Sequence, residues 1–158
     1  MDSDLKKASG IALGYLSIRS RSILEMKDYL SKKKIPPLLI DRVIQLLCNE
    51  NYLDDKIFAA NFLENRRRNK PKSLFAFRYE LEKKGIDPAI IDQSLTRYDD
   101  LELALLALKP KVRIWRHLDQ ALLKKKTFGY LRYRGFGFSI IQSAGEQIFD
   151  FANSGLSK

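Results

Sequence analysis

"SILEMKDYLSKKKIPPLLID", residues 22–41, is answered further along the chain by "SLFAFRYELEKKGIDPAIID", residues 73–92. At a constant offset of 51, identical residues fall at Ser22/Ser73, Leu30/Leu81, Lys32/Lys83, Lys33/Lys84, Ile35/Ile86, Pro37/Pro88, Ile40/Ile91 and Asp41/Asp92. Apolar slots also match, at Ile23/Leu74, Met26/Phe77 and Ile44/Leu95. Upstream, Ala8/Ala59, Ile11/Phe62 and Ala12/Leu63 keep the same offset. A fainter third copy, "YRGFGFSIIQ" at 133–142, aligns with "KKGIDPAIID" at 83–92 through Gly85/Gly135, Ile90/Ile140 and Ile91/Ile141. Weaker matching suits a terminal repeat, which has no further neighbour to pack against.

Within each copy the hydrophobic period is helical. Ser22 and Glu25 form a capping box that starts a helix with the stripe Ile23, Met26, Leu30. Pro36-Pro37 separates it from a second stripe, Ile40, Val43, Ile44 and Leu47. In the second copy Gly85 stands where a helix end needs positive φ, and Asp87-Pro88 reads as an N-cap followed by a first-turn proline. No alternating strand pattern is visible. The sequence therefore predicts an all-α fold of about nine short helices. These form three tandem three-helix repeats, 1–50, 51–98 and 99–158, in an elongated, curved array.

"NYLDDKIFAANFLENRRRN", residues 51–69, holds two charge clusters. With Asp54 as N-cap, Leu53 and Phe58 take the positions of a hydrophobic staple, and Asp55 falls in the positive first turn. Arg66, Arg67 and Arg68 fall at the opposite, negative end. The cap explains the sign of the arginines but not their number.

The chain carries 29 basic and 19 acidic residues, a net charge of +10, so an acidic partner is expected. Residues 1–50 hold 9 basic and 6 acidic residues, 51–100 hold 10 and 9, and 101–158 hold 10 and 4. The excess thus concentrates in the third repeat. Two sets are candidates for partner binding: Arg66, Arg67, Arg68, Lys70 and Lys72, and Lys124, Lys125, Lys126, Arg132 and Arg134. The lysine triplet fans around a helix and cannot all be buried. Tyr130 and Tyr133 lie nearby, suited to stacking on bases or to packing on a neighbouring helix. Trp115 reads as core or interface.

Cys48 and His117 are the only residues of their kinds, so neither an internal disulfide nor the usual zinc site can be built. Cys48 extends the stripe ending at Leu47 and reads as a small buried residue. No phosphate loop or nucleophile–base pair is present, and neither enzymatic activity nor a cofactor is expected. "ASGIALGYLSI", residues 8–18, has the apolarity of a secretory leader. It also fits a helical stripe through Leu5, Ala8, Ala12, Tyr15 and Leu16, and no small-residue cleavage site follows. No segment approaches membrane-spanning length. A cytoplasmic setting is expected.

Several of these segments carry a resemblance. "RSRSILEMKDYLSKK", "NYLDDKIFAANFLENRR", "YELEKKGID" and "LRYRGFGFSII" resemble, in order over about residues 8–150, blocks of the RecX family, bacterial regulators of the RecA recombinase. Asn51 replaces a usual glycine, as does Lys34. "KPKS" at 70–73 lacks another, and Tyr133 stands for an arginine. The resemblance implies a non-enzymatic modulator lying in the groove of the RecA–DNA filament; a monomer is expected. It implies modulation, most often inhibition, of RecA ATP hydrolysis, strand exchange and co-protease activity. Single- or double-stranded DNA is a further expected partner for the basic surface, and no membrane is. The competing expectations are a sequence-nonspecific nucleic-acid-binding helical repeat module and a scaffold for some other protein.

Overall fold

The computed structural model describes residues 2–151 and is helical throughout, with no strand among them. The helices are α1 (Ser3–Leu16), α2 (Ile23–Lys32), α3 (Pro37–Asn49), α4 (Asp55–Asn69), α5 (Leu74–Lys83), α6 (Pro88–Leu95), α7 (Asp100–Leu108), α8 (Val112–Trp115), α9 (Gln120–Tyr133) and α10 (Phe138–Phe149). A 3-10 turn, Lys109–Lys111, joins α7 to α8, because Pro110 cannot continue the α7 hydrogen-bond ladder. With α7, the turn and α8 taken as one interrupted rod, the described residues carry nine helical segments.

The helix starts follow local chemistry. Ser22 accepts from Glu25 N while Glu25 accepts from Ser22 N, so the capping box is complete. Asp2, Asp99 and Asp119 cap α1, α7 and α9 in the same sense. Asp87 accepts from Ala89 N, with Pro88 opening α6. Asp54 accepts from Lys56 N at 2.9 Å and caps α4, with Leu53 and Phe58 buried at the staple positions.

The second helix of every repeat ends alike. Lys34 N bonds to Ser31 O and Ile35 N to Leu30 O; Gly85 N bonds to Glu82 O and Ile86 N to Leu81 O; Gly135 N bonds to Arg132 O and Phe136 N to Leu131 O. Each is a Schellman motif whose turn residue has φ of 64°, 78° and 93° respectively. Leu30, Leu81 and Leu131 are fully buried at these ends. The third copy, faint in sequence, is therefore clear in backbone geometry.

The contacts gather into two compact units that interleave along the chain. One comprises Met1–Phe62 with Glu80–Ser94, the other Leu63–Tyr79 with Leu95–Lys158. In the first, α1, α2 and α3 enclose Leu5, Ala8, Ala12, Met26, Leu30, Val43 and Leu47. Tyr15 stacks on Tyr29, and Arg21 lies 3.7 Å from the centre of the Tyr15 ring. The end of α5 belongs here because Gly85 seats against α2: a Cβ at Gly85 would stand 2.6 Å from Leu24 Cβ. Cys48 is half-buried beside this core rather than fully inside it, and burial, then Asp55 and Asp54, push its thiol pKa up.

In the second unit α7, α9 and α10 pack on one another around Leu103, Leu108, Leu123, Leu131 and Ile141. The start of α5 joins them through Ser73 N, which donates to Arg134 O at 3.0 Å. Gly135 approaches Ser73 and Ala76 as Gly85 approaches Leu24. One repeat-to-repeat joint is thus used twice, once in each unit.

A basic cleft as the candidate functional site

Three chain features build the site, all in the second unit. The last turn of α4 carries Arg66, Arg67 and Arg68, after which Lys70-Pro71 leaves the helix. Pro110 breaks the α7–α8 rod and leaves Lys109 exposed at the break. The Schellman turn ending α9 fixes Arg134 as its C-cap. Together they enclose a cleft of about 570 Å³, lined by Arg67, Arg68, Lys70, Lys109, Tyr130 and Arg134 over an apolar floor that includes Leu106 and Pro110. No acidic residue lines it.

Two of the cations are oriented in advance. Arg134 lies 3.8 Å from the centre of the Tyr130 ring and donates from Nη1 to Tyr130 O at 3.2 Å. Tyr130 is itself fixed, its hydroxyl donating to Ala107 O at 3.0 Å and its ring meeting Trp115 edge-on at 5.5 Å. Lys111 Nζ sits 5.3 Å from the Tyr130 ring centre and 5.7 Å from that of Trp115. Arg67 is held by Glu64, which accepts from its Nε at 3.1 Å and from the Tyr98 hydroxyl at 3.2 Å. The Arg67 guanidinium keeps the Glu64 carboxyl below its ordinary pKa, and Arg67 is raised in turn.

Of the residues singled out from sequence, Arg67, Arg68, Lys70 and Arg134 meet in the cleft. Arg66 and Lys72 are half-buried and do not line it. Lys124, Lys125 and Lys126 do fan around α9. Lys124 is half-buried, 5.7 Å from the Phe151 ring centre; Lys126 is exposed, 6.0 Å from that of Trp115; Lys125 is exposed. Arg132 is exposed outside the cleft. The tyrosines divide: Tyr130 packs against neighbouring elements, whereas Tyr133 is 87% exposed. Lys109 was not among the expected residues. Its signal was the Lys-Pro-Lys run, where proline ends a helix and leaves its neighbours at the surface.

Among the described residues no group of three or more His, Cys, Asp or Glu is placed to hold a metal ion. Nor is any helix there long and apolar enough to cross a membrane.

The tandem three-helix units match those of one family of regulatory proteins. Residues 8–47 match the model of the first three-helix domain of RecX, and residues 54–95 that of the second. The regulatory protein RecX of Prosthecochloris aestuarii is 35% identical over 147 residues, covering 93% of this chain and 97% of that one. RecX of Chlorobium phaeobacteroides is 34% identical, covering 94% and 97%. RecX of Bacillus subtilis is 32% identical over 92% of this chain, which spans 56% of that longer relative. The crystal structure of RecX from Lactobacillus salivarius superimposes with a TM-score of 0.79 at 24% identity, covering 96% of this chain and 99% of that one, a likeness of fold. The chain belongs to the RecX family of regulatory proteins.

Proposed function

We propose that this chain is a non-catalytic regulator that binds the RecA–DNA filament and restrains RecA, lowering its ATP hydrolysis, strand exchange and co-protease activity. The observation that carries the reading is family membership over nearly the whole chain, at 35% identity to a RecX regulatory protein. The basic residues support it physically. A surface with five cations from three parts of the chain in one cleft attracts acidic protein groups or a phosphate backbone, and such attraction weakens with salt. Arg66, Arg67, Arg68, Lys70, Lys72, Lys124, Lys125, Lys126, Arg132 and Arg134 are the residues proposed to face that partner, acting in the cytoplasm.

A second reading, a nucleic-acid-binding helical module acting without RecA, is favoured by the net charge of +10. Co-sedimentation separates the two. The chain should pellet with RecA assembled on single-stranded DNA, far above what the same DNA alone retains. Equal retention by bare DNA would favour the second reading.

A further inference from the structure

Arg68 and Lys70 at the end of α4, Lys109 at the 3-10 turn and Arg134 at the end of α9 come from separate parts of the sequence, yet they line one cleft with no acidic residue in its wall. Holding like charges together opposes folding unless something completes the site. The volume of about 570 Å³ falls within the range of ligand pockets, far larger than a single water needs. Arg134 is held by Tyr130, so little freedom remains to be lost when an anion arrives.

The geometry points to a phosphate site in this cleft, with Lys109 and Arg134 as its central contacts. Guanidinium forks match tetrahedral oxyanions, and a ligand carrying several charges suits several cations better than one carboxylate would. The cleft reads charge and not bases. Arg134 covers one face of Tyr130 and Trp115 meets its ring edge-on, so the aromatic is engaged by its own neighbours. Phosphate can reach the site from a nucleic-acid backbone or from a soluble polyphosphate. The inference deepens the filament-binding reading and rests on it for its role, but the two are tested apart.

Trp115 is the only tryptophan of the chain and touches the cleft wall at Tyr130, so its emission reports occupation. The full chain is titrated at low salt with tripolyphosphate, and separately with a mixed-sequence single-stranded oligonucleotide. Both should give a saturable change in emission. Lys109→Glu should weaken both by roughly tenfold, while Lys6→Glu on the exposed side of α1, with the same change in net charge, leaves both within about twofold. Circular dichroism confirms that each variant is folded, and Lys109→Ala, with a smaller expected loss, replaces the reversal if that variant is not. A response to tripolyphosphate alone would keep the site and assign it to soluble phosphates. No saturable response to tripolyphosphate, or equal weakening by the two reversals, overturns the proposal. Retention of Lys109→Glu on RecA filaments despite lost phosphate binding would show that filament docking stands without the cleft. Phosphate binding by a wild-type chain that ignores the filament would overturn the filament reading alone.

Discussion

The Asp55 carboxylate accepts a hydrogen bond from the backbone N–H of Ile23 at 2.9 Å, so the first turn of α4 caps the first turn of α2. Asp100 repeats the arrangement on the next joint, accepting from Leu74 N at 2.8 Å. Each Asp-Asp pair, 54–55 and 99–100, therefore divides its labour. The first aspartate caps its own helix, and the second caps the helix of the preceding repeat. Replacing Asp55 or Asp100 by alanine should cost about 1–2 kcal/mol each in urea unfolding. Asparagine keeps an acceptor and should cost less.

Asp55 also sets a direction of pH dependence. Burial, then the charges of Asp54 and Glu25, raise its pKa against the bond from Ile23. The native state thus binds this proton more readily than the unfolded chain, and this group favours folding more as pH falls through its raised pKa. Asp55→Asn should remove that component from a stability-versus-pH profile.

Glu25 acts in the opposite sense. Burial works against its ionised form, but hydrogen bonds from Arg19, Lys84 and Ser22 outweigh it and lower the pKa from 4.5 to about 2. Its stabilisation is fully present above pH 4.5 and is lost as pH falls toward 2. Glu25→Gln should lose on the order of 2–3 kcal/mol at neutral pH and flatten the profile within that window. An unchanged acid limb in chemical denaturation would contradict this assignment.

The three Schellman turns predict opposite outcomes at equivalent positions. Gly85→Ala forces a Cβ to positive φ and to within 2.6 Å of Leu24 Cβ, so it should destabilise by more than about 1 kcal/mol. Lys34, exposed at φ 64°, has a Cβ in the same backbone region, and Lys34→Gly should stabilise by about 1 kcal/mol. Thermal unfolding of the two variants distinguishes them directly.

Local features were legible in the sequence. The repeat, the Ser22–Glu25 box, the Asp54 cap and the positive φ at Gly85 all involve residues within a few positions of one another or an exact offset. Asn51 and Lys34, standing where the resemblance led glycine to be expected, both hold the left-handed conformation that glycine adopts readily. Tertiary features were not legible. The Asp55–Ile23 bond spans 32 residues, and no pattern near Asp55 announces it. Lys109 joins Arg68 and Arg134 only in the folded second unit, where Pro110 interrupts the α7–α8 rod. Charge counting pointed to two basic sets, Arg66–Lys72 and Lys124–Arg134, but not to the meeting of Arg67, Arg68, Lys70 and Arg134 in one cleft with Lys109.

Regulation of the RecA filament is tested most directly by the ATPase rate of RecA on single-stranded DNA, with this chain added at substoichiometric ratios. The rate should fall in a concentration-dependent manner. The fall should weaken at higher salt and on joint reversal of Lys124, Lys125 and Lys126 to glutamate. An unchanged rate with the cognate RecA and a fully helical sample would contradict it.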